Sequence, residues 1–146
     1  MQATRKMNID AKSFFDMILT SAKYDIEQST KEAIALEDIK TGFTYKKDLT
    51  NKVGKMGDSI TTLTTVDVPF VYEASFKTAR GINTVSYKVE QLSDGINVTY
   101  SEDYIPATST LQLNNKIVSI FFKRSNKKRM KGMLKMMEEH LLKQVS

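Results

Sequence analysis

Residues 70–102 read FVYEASFKTARGINTVSYKVEQLSDGINVTYSE, and apolar and polar side chains alternate along most of this stretch. A period of two residues is typical of a strand that buries one face against a hydrophobic core. Arg80-Gly81 and Asp94-Gly95 divide the stretch into three runs, and Asp-Gly is a strong signal for a two-residue hairpin loop. We therefore predict a meander of three antiparallel strands.

The two turns predict one shared inward face for the three strands. If both dipeptides are two-residue loops, they determine which residues lie opposite one another, and opposite residues share a face. The predicted cross-strand rows are Tyr72–Val89–Tyr100, Ala74–Tyr87–Glu102 and Phe76–Val85–Tyr104. A slip of one residue in either hairpin would mix polar residues into these rows. The rows thus predict an inward surface walled by aromatic rings, with the Glu102 carboxylate beside Tyr87.

Before the meander, the chain predicts one strand, two short helices and further strands. The first strand covers residues 3–9. Asp10 is typical of a helix N-cap, and the apolar residues that follow at helical spacing predict a helix from Ala11 to about Ser21. A second short helix is predicted from Tyr24 toward Thr30. Two more strands are predicted over residues 43–49 and 60–68, with a loop between them from Asn51 to Gly57.

The last third of the chain predicts one long helix. Residues 115–145 contain no Pro and one Gly, and Met130, Met133, Leu134, Met137 and Leu141 form one apolar stripe. An apolar segment over residues 117–122 is predicted to be buried, with a kink or break near Ser125. Residues 1–114 hold 13 Lys/Arg and 15 Asp/Glu, a balance of −2, whereas residues 115–146 hold 9 and 2, a balance of +7. The basic character therefore belongs to this helix.

Several short features occur in one order along nearly the whole chain. They are Phe14-Phe15, the Ser21 to Tyr24-Asp25-Ile26 stretch, Gly42-Phe43 with Tyr45, Ser86-Tyr87, Tyr100 with Glu102, and the Lys127-Lys128-Arg129-Met130 run. Together they resemble a Gram-positive bacterial family, domain of unknown function 3284, and more broadly the START and birch-pollen-allergen superfamily. The narrower resemblance implies no activity. The superfamily, which includes polyketide cyclases and lipid carriers, implies a helix-grip fold with a cavity for an apolar ligand.

We accordingly expect residues 1–146 to form a single α+β domain of the helix-grip type. A curved antiparallel sheet of about six to seven strands would carry two short helices near the N-terminus and a long C-terminal helix packed on the sheet. The chain has no Cys and one His, which excludes disulfides and sites with several His ligands. No apolar run reaches the roughly 18 residues that span a bilayer, and we do not expect the first residues to act as a secretory signal, because no apolar stretch follows their charges. We expect a cytoplasmic protein with no cofactor, no metal and no nucleic-acid partner.

The inward face of the meander and the stripe of the last helix supply the candidate ligand-binding residues. They are Tyr72, Ala74, Phe76, Tyr87, Val89, Tyr100, Glu102, Met130, Met133 and Met137. The same tyrosines and methionines are equally explained as ordinary core residues. Glu102 is a candidate general base, or a solvated or hydrogen-bonded residue at a strand end. No set of catalytic residues is predicted.

Three functions remain open at this point. The first is a non-enzymatic domain that binds a small apolar or amphipathic molecule between sheet and helix. The second is a cyclase- or hydrolase-type enzyme that uses Glu102 and a nearby Tyr. The third is an interaction module that uses the basic helix, although a run of Lys and Arg usually forms a solvated helix face. We expect a binding protein rather than an enzyme.

Overall fold

The structure describes residues 1–51, 54–107 and 109–145, with side chains over residues 1–48, 57–107 and 126–144. Over these residues the computed structural model has six strands, two helices and one 3₁₀ turn. In chain order they are β1 (Gln2–Met7), α1 (Ala11–Thr30), the 3₁₀ turn (Leu36–Asp38), β2 (Thr44–Asn51), β3 (Gly54–Asp67), β4 (Val71–Thr78), β5 (Gly81–Leu92), β6 (Gly95–Pro106) and α2 (Ser109–Val145).

The six strands form one antiparallel sheet in the order β1-β6-β5-β4-β3-β2. The two edge strands are therefore β1 and β2, and α1 connects one edge to the other. Helix α1 contacts β2 and β5, whereas α2 contacts β1 and β6. A sheet that holds a long final helix in this way confirms the predicted helix-grip architecture. Because β3 starts at Gly54, the loop predicted from Asn51 to Gly57 is too long.

Both hairpins of the meander turn one residue earlier than predicted. Thr78 pairs with Gly81 and Leu92 with Gly95, so each glycine is the first residue of a strand. Gly95 has a φ of 146°, and a Cβ there would collide with the carbonyl oxygen of Met7 in β1. The glycines are thus required where the neighbouring strand approaches closely, rather than inside the loops.

The earlier turns shift the pairing between strands by two residues. The observed rows are Tyr72–Tyr87–Tyr100, Ala74–Val85–Glu102 and Phe76–Asn83–Tyr104, so the three predicted rows are wrong. A shift of two leaves every side chain on its predicted face, because faces alternate with a period of two. The predicted inward face is therefore confirmed, since Tyr72, Ala74, Val89 and Tyr100 are buried, although Tyr104 at its far end is 42% exposed.

One helix replaces the two that were predicted near the N-terminus. Asp10 caps α1, since its carboxylate accepts hydrogen bonds from the backbone N–H and the hydroxyl of Ser13 at 2.9 and 2.7 Å. Ile18, Ala22 and Ile26 are all buried, and their spacing of four residues carries the apolar stripe across the predicted break. The helix ends at Lys31, which adopts a left-handed conformation with a φ of 63°.

The core lies between the inward face of the sheet, α1 and the second half of α2. Met130, Leu134 and Leu141 are buried, and Met133 and Met137 pack against the core, as the stripe predicts. Met136, which is off the stripe, is 70% exposed. Helix α2 begins at Ser109, earlier than predicted, and continues through Ser125, where a kink or break was predicted. The apolar segment at residues 117–122 lies outside the described side chains.

Candidate functional site

A concavity of about 390 Å³ lies on the inward face of the sheet, toward the ends of β4 and β6. Its apolar lining includes Phe76 and Val85, which come from neighbouring strands. The described lining residues are Lys47, Ser59, Phe76, Thr78, Asn83, Thr84, Val85, Glu102 and Asp103. The β4–β5 and β5–β6 hairpins bring Phe76, Asn83, Val85 and Glu102 together, because their registers place these four residues in two adjacent rows.

The neighbouring part of the inward face is filled with aromatic side chains. The rings of Phe14 and Tyr87 lie 5.9 Å apart, and those of Phe15 and Tyr72 lie 6.4 Å apart, both edge to face. The rings of Tyr87 and Tyr100 lie 4.8 Å apart. These contacts leave a row of three tyrosines packed under α1, beside the concavity.

The ten candidate ligand-binding residues divide between these two regions. Phe76 and Glu102 line the concavity. Five others are buried core residues, namely Tyr72, Ala74, Val89, Tyr100 and Met130. The remaining three, Tyr87, Met133 and Met137, are partly buried and pack against that core.

Glu102 is bound on both carboxylate oxygens. Arg129 Nη2 of α2 donates to Oε1 at 2.8 Å and to Oε2 at 2.7 Å, and the hydroxyl of Tyr100 donates to Oε1 at 2.8 Å. The Glu102 side chain is 24% exposed and that of Arg129 is 53% exposed. The partners are thus Arg129 and Tyr100, rather than the predicted Tyr87.

The tyrosine hydroxyls beside this pair stay protonated at neutral pH. Burial, assisted by the hydrogen bond to Glu102, raises the pKa of Tyr100 above its usual range. Burial also raises the pKa of Tyr87 to about 12. Glu102 already accepts three hydrogen bonds, two from Arg129 and one from Tyr100, so both of its oxygens are engaged within the protein. The arrangement therefore suits hydrogen bonding to a guest better than proton abstraction.

A second polar cluster was missed by the sequence analysis. Asp25 of α1 accepts a hydrogen bond from Tyr45 Oη on Oδ2 and from Lys47 Nζ on Oδ1, each at 2.5 Å. Tyr45 and Lys47 share the inward face of β2. Burial, and to a smaller extent the hydrogen bond to Asp25, raises the pKa of Tyr45 above its usual range. The spacing of two residues indicated that Tyr45 and Lys47 lie on the same face of a strand, but nothing in the sequence indicates that they pair with Asp25.

A third polar contact, also missed, fastens α2 to β1. Arg5 Nε donates to Glu138 Oε1 at 3.0 Å, and Arg5 Nη2 lies 2.8 Å from the same oxygen. The backbone N–H of Asn8 donates to Glu138 Oε2 at 2.9 Å. The Glu138 side chain is only 11% exposed. A signal was available, because Glu138 stands four residues after Leu134 on the apolar stripe, where an acidic residue is unusual.

Four other basic residues of α2 lie outside these contacts. Lys127, Lys128, Lys131 and Lys135 are exposed, as the predicted solvated face requires, and His140 is an exposed residue beside Gln144. Within the described ranges, no group of three His, Cys, Asp or Glu side chains is placed to hold a metal ion. In the same part of the chain neither helix is long and apolar enough to cross a membrane.

Solved structures with the same fold include three that align over nearly all of this chain. The protein NE0264 from Nitrosomonas europaea has a TM-score of 0.61 at 11% identity, with 99% of this chain and 94% of that chain covered. Ara h 8.0201 has a TM-score of 0.59 at 9% identity, with 98% and 97% covered. The di-domain ARO/CYC protein StfQ from the steffimycin biosynthetic pathway has a TM-score of 0.58 at 10% identity. The alignment covers 97% of this chain and 48% of StfQ.

At such low identities these likenesses establish the helix-grip fold alone. No curated protein matches this chain in sequence. One family does match, over residues 1–123, and it is described as "Domain of unknown function (DUF3284)". Since the match covers most of the chain, this protein belongs to the DUF3284 family.

Proposed function

We propose that this protein binds a small amphipathic molecule in the concavity between β2, β3, β4, β5 and β6. The apolar side chains on the inward face of the sheet, beside a few polar groups, carry the proposal, and the volume of about 390 Å³ lies within the roughly 300–1,000 Å³ of ligand pockets in proteins. Phe76 and Val85 offer apolar surface to the body of a ligand, and the polar lining residues offer groups that orient it. The sequence-based hypothesis placed the ligand between the sheet and the last helix with ten candidate residues, of which Phe76 and Glu102 line the proposed site.

Binding is favoured over catalysis by the state of the polar groups. Glu102, the candidate general base, has both oxygens bound by Arg129 and one of them also by Tyr100, so its carboxylate is engaged within the protein rather than directed at a substrate. The tyrosines near it have raised pKa values and are weak nucleophiles at neutral pH. A cyclase-type enzyme is the alternative. It is supported by the Polyketide_cyc-like protein Cgl2372 from Corynebacterium glutamicum, which is among the solved structures of this fold.

Fluorescence titration with N-phenylnaphthylamine, a neutral apolar probe, tests the proposal. Val85→Trp fills the concavity, and we expect it to weaken probe binding at least about tenfold, because the volume available to the ligand is lost. Val71→Trp is the matched control, since Val71 lies on the opposite face of β4. We expect the control to bind as the wild type does.

Thermal unfolding of each variant shows whether it is folded under the titration conditions. If Val85→Trp does not fold, Asn83→Trp is the substitute, because Asn83 is an exposed residue of the same lining. Wild-type protein that binds no probe, or folded Val85→Trp and Asn83→Trp variants that bind it unchanged, would refute binding at this concavity. Native mass spectrometry of the purified protein would identify a co-purified ligand by its mass.

A further inference from the structure

Lys47 lies between two concavities on the β2 side of the fold. It lines the proposed site, and it also lines a neighbouring concavity of about 460 Å³ together with Tyr24, Asp25 and Gln28. Among the described residues that line the proposed site, Lys47 is the one cation. Its side chain is 41% exposed, so the ammonium group is accessible to a ligand.

The ammonium group of Lys47 has hydrogen-bonding capacity to spare. A Lys ammonium carries three N–H donors. One of them is used by Asp25 Oδ1, and in the described part of the chain Asp25 is its one partner. Asp25 is itself held by Tyr45 through its other oxygen. The ammonium is therefore positioned by Asp25 and still has two donors for a second acceptor.

The acceptors of the same site are, by contrast, occupied or screened. Both oxygens of Glu102 are bound to Arg129, and one of them also to Tyr100. Asp103 is about three-quarters exposed, so water and salt screen its charge. Asn83 adds an amide that forms no side-chain hydrogen bond with any other described residue. Asn83 and the lining hydroxyls can both donate and accept, so the one charged donor, Lys47, decides the preference, and it favours a ligand group that accepts hydrogen bonds.

Building on the proposed function, we infer that the ligand is an acidic amphiphile whose anionic head group binds Lys47 while its apolar body lies against Phe76 and Val85. A hydrogen bond between two charged groups is stronger than one between neutral groups, and a partly desolvated site strengthens it further. Asp25 acts here as a positioning residue and also as a competitor for the same ammonium group.

Two fluorescent probes with one shared body separate the head group from the body. Anilinonaphthalene sulfonate differs from N-phenylnaphthylamine by an added sulfonate, so the ratio of their two affinities isolates the anionic group. We expect Lys47→Met to reduce this ratio about tenfold, since one charge-assisted hydrogen bond is lost while the neutral probe is retained. We expect Asp25→Asn to raise the ratio, because a competing carboxylate is removed.

Lys46→Met is the matched control. Lys46 is the neighbouring residue on β2, faces away from the concavity and pairs with Asp58, so its loss removes one positive charge without touching the site. We expect its affinity ratio to equal that of the wild type. Lys47→Arg keeps the charge and should keep most of the affinity ratio. If Lys47→Met does not fold, Lys47→Arg replaces it. Raising the salt concentration should then lower the affinity for the sulfonate probe and leave that for the neutral probe unchanged.

The outcomes distinguish the two levels of the proposal. If the neutral probe binds and is blocked by Val85→Trp, but the ratio is the same in Lys47→Met and the wild type, the acidic head group is refuted and the binding site stands. An equal fall of the ratio in Lys46→Met and Lys47→Met also refutes it, because the effect is then one of net charge. If the wild type binds neither probe, the proposed function itself fails.

Discussion

Arg129 of the last helix donates to both carboxylate oxygens of Glu102 in the sixth strand, at 2.8 and 2.7 Å. The pair joins α2 to the rim of the concavity. Nine residues further along α2, Glu138 forms a second ion pair with Arg5 of β1, and the charges are reversed between helix and sheet. Because the polarity of the two pairs is reversed, a helix that slid or rotated toward the other partner would bring like charges together, so the pairs disfavour such a movement.

The two ion pairs are expected to contribute unequally to stability. Glu138→Gln should lower the free energy of unfolding by about 2 kcal/mol, because a largely buried carboxylate loses its charge while Arg5 stays beside it. Glu102→Gln should cost about 1 kcal/mol or less, since Arg129 is half exposed. Urea unfolding at neutral pH measures both. A larger loss in Glu102→Gln than in Glu138→Gln would contradict this ranking.

Two glycines offer a matched pair of substitutions with opposite expected signs. Gly95→Ala should destabilise the protein by about 2 kcal/mol, because its φ of 146° disfavours a side chain and the added Cβ would meet the Met7 carbonyl. Gly132→Ala should stabilise it by about 1 kcal/mol, because Gly132 lies within α2 and nothing stands within 4 Å of the added Cβ. Thermal unfolding gives both signs. A neutral Gly95→Ala would refute the close approach of β1.

The N-cap of α1 predicts a stability difference that depends on pH. Hydrogen bonds from the Ser13 hydroxyl and backbone N–H hold the pKa of Asp10 below its usual value of 3.8. Asp10→Ala should therefore cost about 1 kcal/mol at neutral pH. A lowered pKa stabilises the fold fully above pH 3.8, and this contribution is lost as the pH falls through the folded-state pKa.

Urea unfolding of the wild type and of Asp10→Ala between pH 7 and pH 3 measures this difference. We expect the two curves to converge at the acid end of the series. Asp10→Asn serves as the control, since an amide oxygen caps without a titratable charge. A difference that does not shrink on acidification would show that the charge of Asp10 has no part in the cap.

The packed tyrosines predict a loss of stability in alkaline solution. Burial raises the pKa of Tyr72 and of Tyr87 from 10.0 to about 12. A raised pKa leaves stability intact below the unfolded-state value, and stability then falls as the pH rises toward the folded-state value, because the unfolded chain ionises first. Between pH 10 and 12 each such tyrosine should cost about 1 kcal/mol per pH unit.

Tyr87→Phe isolates one of these contributions. Its free energy of unfolding should fall less steeply than that of the wild type over the same alkaline range. Absorbance of the tyrosinate ion, followed alongside unfolding, reports when the phenols ionise. Parallel pH profiles for the wild type and Tyr87→Phe would contradict the burial of this hydroxyl.

Much of the fold follows from patterns that are local in the chain. Alternation in residues 70–102 predicts the strands and their inward face, and the spacing of Met130, Leu134 and Leu141 predicts the buried side of α2. Both patterns follow from the fixed periods of strand and helix, which need no knowledge of distant residues. The break predicted between Ser21 and Tyr24 fails for the same reason, because Ile18, Ala22 and Ile26 keep the helical period across it.

The candidate site was much less accessible to sequence reasoning. Phe76 and Glu102 were identified, yet the residues around them depend on a two-residue register shift that both hairpins share. Lys47 and Asp25 lie 22 residues apart on a strand and a helix, and their ion pair exists only because α1 packs on β2. Such contacts depend on the packing of whole elements, which no local pattern encodes.

By itself, the sequence determined the succession of strands along the chain, the inward face of the three-strand meander and the amphipathic character of the last helix. The tertiary structure alone decided which residues lie opposite one another, which carboxylates hold Arg129 and Lys47, and which part of the inward face stays open. The physical reason is the range of the interactions involved. Period and turn propensity act over a few residues, whereas register, ion pairing and cavity shape depend on close contact between distant segments.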